Sequence, residues 1–275
     1  MRPIVHALLL PLLLACPFGM ALAQATAKAA SPDGSLDPMM VQAGFLSGHP
    51  DLRFRIRGLD EFKAGNREDA FRYFQRAAYY ADKPSQGMVA EMYWNGQGVP
   101  ADRALAYAWM DLAAERGYLT FATARERYWS EMTEAERNRA LEEGQALYAR
   151  FGDAAAQPRL ATVLRRERGK MTGSRLGSGS GSLQVLVAGP DGEYEAIDGS
   201  KFYDPKYWDP KQYQAWHDSV WMRPRIGRVD VGGVEKVPEQ GVMSTRVPKV
   251  APDVDAEEPS VPEGEGTPPD RQPPR

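Results

Sequence analysis

Side chains that could carry out chemistry are few in this chain, and they lie far apart in the sequence. Beyond residue 23 the histidines are His49, in a Gly-His-Pro turn, and His217, which precedes Asp218. Imidazole catalysis needs a nucleophile, a metal ion or an oriented acidic partner, and the neighbouring residues suggest none of these. Cys16 is the only cysteine, so neither a disulfide nor a cysteine metal site is expected. We therefore predict no catalytic residue, no metal ligand and no cofactor.

The sequence motifs of common enzyme classes are also absent. The chain has no G-x-S-x-G, no H-E-x-x-H and no Walker-type phosphate loop. Gly96-Gln97-Gly98 follows a helical pattern rather than a strand, so it is predicted to be a turn between two helices. A formal net charge of -3 gives no reason to expect a nucleic-acid ligand. The sequence indicates a protein that is not an enzyme.

Large aromatic side chains concentrate between residues 194 and 221, where the tripeptide Asp-Pro-Lys occurs twice. Rings of this size are too apolar for a free linker. We expect them to fold with the strand-like residues 183–187, to dock on the rest of the chain, or to do both. The alternative is a recognition element for a partner or a glycan, because exposed Tyr and Trp are typical interface anchors. The partner-binding candidates are then Tyr207, Trp208, Trp216 and Trp221.

Basic residues are frequent between positions 159 and 175. A run of this kind is usually the solvated end of a helix, but it could also contact an anionic lipid or an acidic partner. Contacts with the acidic C-terminal part of the same chain are a further alternative, and such exposed contacts would be weak.

Two helices joined by a glycine-rich corner are predicted for residues 85–117. In the second helix Ala106, Trp109 and Ala113 recur at the spacing of a buried helical stripe. Ala70 and Tyr73 stand 36 positions before Ala106 and Trp109, and the intervening pattern matches as well. An internal repeat of this period is typical of a helical solenoid. We interpret these aromatic residues as repeat core rather than as a ligand site.

The segment 85–117 resembles a Sel-one-like repeat, a relative of the tetratricopeptide repeat. The residues that carry the resemblance are Val89, Ala90, Tyr93, Gly96, Gly98, Val99, Asp102, Ala106, Trp109, Ala113, Ala114 and Gly117. Ser85 and Leu105 depart from the pattern, which has Ala and Lys there. The preceding unit turns through Gly65-Asn66 and looks more like a plain tetratricopeptide hairpin. The resemblance implies a helical scaffold that binds other proteins and performs no chemistry of its own.

The same resemblance suggests where a partner would bind. In related repeats the first helix of each unit lines the concave surface. The partner-binding candidates of the second unit are therefore Glu91, Trp94 and Asn95. The expected partner is a protein or peptide of the cell envelope, with a cell-wall polymer as the alternative.

The N-terminus has the pattern of a secretory signal peptide. Arg2 precedes an apolar run at residues 4–15, and Ala21-Leu22-Ala23 is an A-x-A cleavage site. The apolar run is too short to span a bilayer comfortably. Residues 13–16 alternatively resemble a lipobox, in which case Cys16 would carry lipid and tether the protein to a membrane. We expect export, with the periplasm as the destination and a lipoprotein or a secreted form as alternatives.

These observations predict an all-α protein, an α-α solenoid of about three helix pairs followed by a small irregular or β-containing aromatic segment and a disordered tail. The expected function is that of a non-catalytic exported scaffold. A cell-envelope binding module or a lipid-anchored assembly factor are the alternatives. The predicted divisions are a signal peptide (1–23), a flexible leader (24–50), the repeat domain (51–169), a Gly/Ser linker (170–182), an aromatic module (183–237) and a disordered Pro/acidic tail (238–275).

Overall fold

The computed structural model describes residues 36–171, 184–188, 193–222 and 245–262. The predicted signal peptide, the lipobox alternative at Cys16, most of the linker and residues 263–275 lie outside these ranges. The described part is mostly helical and contains one two-stranded sheet. The predicted fold class, a helical solenoid with a small β-containing segment, is confirmed.

The first repeat consists of α2 (Pro50–Ala64) and α3 (Arg67–Tyr79), preceded by the short helix α1 (Pro38–Gln42) and a 3-10 turn at Phe45–Gly48. The two repeat helices approach closely because Gly58 has no side chain. A Cβ atom at this position would lie 2.6 Å from the ring of Phe74. A substituted residue there would separate the helices.

The second repeat consists of α4 (Lys83–Asn95) and α5 (Arg103–Ala113). Each helix begins at an aspartate whose carboxylate accepts a backbone N–H of the first turn. Asp82 accepts from Ser85 at 3.0 Å, and Asp102 accepts from Leu105 at 3.0 Å. These are the caps that helix N-termini favour, since the first N–H groups have no partner within the helix.

The glycine-rich corner joins this repeat to the first one. Gly96 ends α4 in the left-handed conformation, with φ of 64°. Gly98 has φ of 74° and passes so close to the start of α3 that a Cβ atom would lie 2.5 Å from the carbonyl oxygen of Arg67. Glycine is required here for both its backbone conformation and its lack of a side chain. The corner therefore fixes the second repeat against the first.

The third pair consists of α6 (Leu119–Glu131) and α7 (Glu134–Phe151), and α8 (Asp153–Met171) follows directly. Thr133 and Glu136 form a capping box at the start of α7. Helix α8 has Asp153 in its first turn and contains Pro158 within it. The Asp153 carboxylate is held by Arg116 at 2.7 Å.

Small residues bring the helices of the stack together around one large ring. Ala106 and Ala113 are fully buried, and Trp109 is 1% exposed. The Trp109 ring packs against Phe151 of α7 with centroids 4.7 Å apart. A single core therefore runs through the repeats and the third pair.

The aromatic segment folds into a short hairpin and three helices. Val185 pairs with Ile197 in the antiparallel hairpin. Its elements are β1 (Gln184–Ala188), β2 (Tyr194–Asp198), α9 (Gly199–Phe202), α10 (Pro205–Trp208) and α11 (Pro210–Trp221). The prediction of a small β-containing segment is confirmed, and the prolines of the two Asp-Pro-Lys tripeptides start helices within it.

A second core forms where this segment meets the N-terminal leader. Phe45 is fully buried there, together with Leu52 of α2 and Leu164 of α8. Gly48 lets the Trp208 ring approach so closely that a Cβ atom would lie 2.5 Å from it. The aromatic segment therefore folds locally and also docks on the helical stack.

Residues 245–262 contain no helix or strand, as their composition suggests, but they lie along the helices. Val247 is 2% exposed in the core of the repeats. The prediction of a disordered tail therefore does not hold for this part, and the next subsection gives its contacts. No helix in the described ranges is long and apolar enough to cross a membrane.

Candidate functional site

The predicted partner-binding residues of the second repeat share one face of α4. Glu91 and Asn95 are exposed and Trp94 is partly exposed. The Trp94 ring stacks on Tyr128 of α6, with centroids 4.0 Å apart and planes at 8°. The Arg103 guanidinium lies 4.9 Å from the Trp94 ring centroid. The surface therefore presents a rigidly held aromatic ring between a carboxylate and an amide.

Burial raises the pKa of the Glu91 carboxyl, and the positive charge of Arg127 partly offsets the effect. The carboxylate thus lies in a less polar setting than its exposure suggests. Groups of this kind gain more from a charged or hydrogen-bonding partner than fully solvated ones do.

The partner-binding candidates of the aromatic segment are largely buried, whereas a recognition element would have to be exposed. Tyr207 and Trp208 are 8% and 2% exposed, and the Trp208 indole N–H donates to the Phe202 carbonyl at 2.7 Å. They belong to the second core and present no free ring face. Their selection as partner-binding residues needs correction, since apolar area on this scale is better buried within the chain.

Trp216 and Trp221 are partly buried and also pack within the chain. The Trp216 ring meets Tyr207 edge-on at 5.2 Å. Trp221 stacks on Phe121 of α6 at 5.9 Å and so joins α11 to the repeat stack. The four rings act mainly as packing, which weakens the proposal of a wall-polymer site built from them.

A groove between α5, α6 and α7 holds the segment 245–262. At its base lies Asp111, fully buried on α5, beside the equally buried Arg125 of α6 at 3.3 Å. The Asp111 carboxylate accepts the backbone N–H groups of Arg246 at 3.1 Å and of Val247 at 3.0 Å. Tyr148 of α7 donates its hydroxyl to the same carboxylate at 3.2 Å.

Burial raises the pKa of Asp111, while the two backbone N–H groups and Arg125 act in the opposite direction. The sequence analysis did not select this residue. A signal was present, because Asp111 is the one charged residue in the apolar run 104–114 of α5. A carboxylate inside such a helix must be paired with other groups of the protein.

Side chains of the segment fill the rest of the groove. The Arg246 guanidinium donates to both carboxylate oxygens of Glu126, at 2.9 and 2.5 Å, and Arg125 also donates to this carboxylate, at 2.8 Å. It also lies 4.9 Å from the ring centroid of Trp129. Val247 packs over Gly144, where a Cβ atom would lie 2.8 Å from the valine side chain. The groove thus has an acidic, aromatic subsite beside a small apolar one.

Further along, basic residues of α3, α7 and α8 hold the acidic part of the segment. Arg76 bonds Glu258 at 2.8 Å, and Tyr79 donates to the Ala256 carbonyl at 2.6 Å. Arg150 bonds the Glu257 carbonyl, and Arg159 bonds the Val254 carbonyl at 3.3 Å. The predicted contact between the basic run and the acidic tail is thus present at Arg159, although it is made to the backbone.

A cavity of about 490 Å³ lies between the start of α4, α8 and α11. His217 and Asp51 both line it, and the His217 Nε2 lies 3.9 Å from an Asp51 carboxylate oxygen. Burial, with Arg55 and Arg116 nearby, lowers the pKa of His217 well below its usual value. Burial raises the pKa of Asp51 to about 6, although Tyr213 donates to its carboxylate at 2.7 Å.

His49 lies behind this cavity, stacked on Phe45 and fully buried. Its two ring nitrogens lie 2.8 Å from the carbonyl oxygens of Phe45 and Tyr207. Burial outweighs these carbonyls and lowers the pKa of His49 to about 4, so the ring is neutral near pH 7. The described residues include no group of three or more His, Cys, Asp or Glu side chains arranged for a metal ion.

The Sel1 repeat family matches this chain at residues 56–79 and 84–118. The first match includes the unit that we interpreted as a plain tetratricopeptide hairpin. No curated protein and no solved structure matches the chain. Sel1 repeats generally mediate protein–protein interactions and are typically non-catalytic. The chain therefore contains two Sel1 repeats, formed by α2 to α5, within a mostly helical structure.

Proposed function

We propose that this protein is a non-catalytic, exported scaffold that binds a protein or peptide partner through the exposed face of α4. The matches to Sel1 repeats support the general role. The observation that carries the choice of surface is Trp94. Its ring is held by Tyr128 and Arg103 but remains partly exposed, between the exposed Glu91 and Asn95.

A partly exposed, immobilised ring suits a binding anchor for an energetic reason. Interfaces depend on a few aromatic or arginine residues whose burial contributes most of the affinity. A ring that is already fixed loses little conformational entropy when a partner covers it. The neighbouring carboxylate and amide supply polar contacts at the rim.

Export is the second part of the proposal, and its support is the N-terminal sequence. Arg2, the apolar run at residues 4–15 and the Ala21-Leu22-Ala23 site form a signal-peptide pattern. These residues lie outside the described ranges. The lipid-anchored alternative rests on Cys16 and is tested by mass spectrometry of the mature N-terminus, which separates a free new terminus from a lipidated cysteine.

Site-specific photocrosslinking tests the binding face. A photoreactive residue replaces Asn95 in one variant and the exposed Glu142 of α7 in a matched control. We expect a discrete crosslinked protein from position 95 and not from position 142. The product should disappear when Glu91 and Trp94 are replaced by alanine in the position-95 variant. Equal products from both positions, or one that persists without Trp94, would exclude this face.

A further inference from the structure

We propose that the groove between α5, α6 and α7 is a binding site for a non-helical segment of a partner protein that bends at an arginine followed by a small aliphatic residue. Residues 245–262 occupy this site in cis. The proposal concerns a different surface from the α4 face and does not depend on it.

The first reason is that Asp111 is placed to accept the N–H groups of a bent backbone. The carboxylate is fully buried, and within the stack it is paired with Arg125 and Tyr148. Two successive N–H groups, those of Arg246 and Val247, supply further hydrogen bonds. A bend at residues 246 and 247 turns two successive N–H groups to the same side of the chain, so this contact recognises backbone conformation rather than sequence.

The second reason is that the two flanking subsites each favour a particular type of side chain. Glu126 binds the Arg246 guanidinium through both carboxylate oxygens, and Tyr107 adds a contact at 3.2 Å. Such a paired contact favours arginine over lysine, because the planar guanidinium matches a carboxylate. The neighbouring subsite over Gly144 is filled by a valine side chain, and a larger one would meet the helix. An arginine followed by valine or a similarly small apolar residue is the motif that fits.

The third reason is the distribution of charge and burial along the segment. Acidic groups surround Arg246, whereas Arg76, Arg150 and Arg159 contact residues 253–258. Among these contacts Arg76 bonds an acidic side chain, that of Glu258, so a partner with an acidic residue about twelve positions after the arginine matches this order. Residues 248–255 are exposed and Val247 is the one fully buried side chain in the described tail. Few buried contacts must therefore break for the segment to leave.

The test uses the full chain and a fluorescent peptide with the sequence of residues 245–262. Arg246→Ala with Val247→Asp should release the segment and leave the groove unchanged. A tethered segment acts as a competitor at roughly millimolar effective concentration. We therefore expect the peptide to bind the double variant at least about tenfold more tightly than the wild type. A peptide with the same two substitutions should not bind.

Gly144→Ala in the released variant is the matched groove control. Its Cβ atom would occupy the position of the valine side chain. Peptide binding should be lost. Thermal unfolding should show that the variant stays folded at the assay temperature, because apart from the valine the added Cβ atom meets the Ala108 Cβ atom at 3.2 Å, a contact that a small shift of α5 or α7 relieves. Binding that survives this substitution would place the peptide elsewhere and overturn the proposal.

Hydrogen exchange of the wild type provides a second measurement that needs no variant. The N–H groups of Arg246 and Val247 should exchange through local opening, at least about tenfold faster than core N–H groups of α5. Exchange at the same rate as the α5 core would make the segment a permanent part of the fold and overturn the proposal. The proposal would also be overturned if the Arg246→Ala, Val247→Asp variant did not fold, or if it folded but did not bind the peptide.

Discussion

Gly98 shows at the scale of one residue how the repeat pattern becomes packing. Its left-handed φ is one requirement, and the contact with the start of α3 is another. Gly65 ends α2 with φ of 93° but has open space where a Cβ atom would lie. Substituting Gly65 therefore tests backbone strain alone, whereas substituting Gly98 tests backbone strain together with steric overlap.

We predict that Gly65→Ala lowers the free energy of unfolding by about 1 kcal/mol, the cost of a left-handed alanine. Gly98→Ala should lower it by about 2–4 kcal/mol, because overlap with the Arg67 backbone adds to that cost. Urea unfolding followed by circular dichroism measures both variants. Equal losses would mean that the corner is not held against α3 as the structure shows.

His49 makes a prediction about pH. Its pKa falls from 6.5 in the unfolded chain to about 4 in the folded protein. The folded state therefore binds fewer protons, and the contribution of His49 to stability is present above pH 6.5 and lost as the pH falls towards 4. Asp51 acts oppositely, since its raised pKa favours the folded state as the pH falls through 6.

Replacing His49 separates its contribution to the pH dependence of stability from that of Asp51. Between pH 7.5 and pH 5 the wild type should lose about 2 kcal/mol more stability than His49→Gln does. Urea unfolding of both proteins at the two pH values checks this. If the difference in unfolding free energy between the two proteins is the same at both pH values, the folded-state pKa of His49 is close to 6.5.

At the scale of secondary-structure elements, the repeated Asp-Pro-Lys tripeptides begin helices. Asp204 precedes α10 and Asp209 precedes α11, each with proline at the first helical position. The Asp209 carboxylate accepts the N–H groups of Lys211 and Gln212, both at 3.1 Å. An aspartate cap followed by proline is a known start signal, because the ring fixes a helical φ and lacks the N–H that would need a partner.

Asp209→Ala should therefore destabilise α11 by about 1 kcal/mol, the usual value of an N-cap. Asp209→Asn should cost much less, because its amide oxygen can accept the same bonds. Hydrogen exchange of the first α11 turns gives the local effect of each substitution. If alanine and asparagine behave alike, the Asp209 side chain does not cap the helix.

Elements with strong helical periodicity were predictable from sequence, and those set by distant contacts were not. Trp109 and its alanine neighbours define α5 from spacing alone. The cap signal at Asp209 lies in the aromatic segment, for which the sequence analysis predicted no helix. Val247 could not be placed, since a composition rich in proline and acidic residues does not reveal that one valine meets Gly144 more than 100 positions away.

At the scale of the whole molecule, the part that the structure describes has an exposed face on α4 and an occupied groove beside α5. The aromatic segment packs on the leader and α8, so Phe45 and Trp208 share one core. Removing everything after Gly169 would expose that core. Substitutions at the surface are for this reason better tests of function than truncation.

The most direct test of the binding face is the affinity of the crosslinked partner, purified and titrated against two variants. Replacing Trp94 with alanine should weaken binding by about 30-fold or more, the loss expected for an interface anchor of about 2 kcal/mol. Glu91→Ala with Asn95→Ala should weaken it less and leave unfolding unchanged, since both side chains are exposed. Wild-type affinity in the Trp94 variant, with its fold intact, would contradict the assignment of this face.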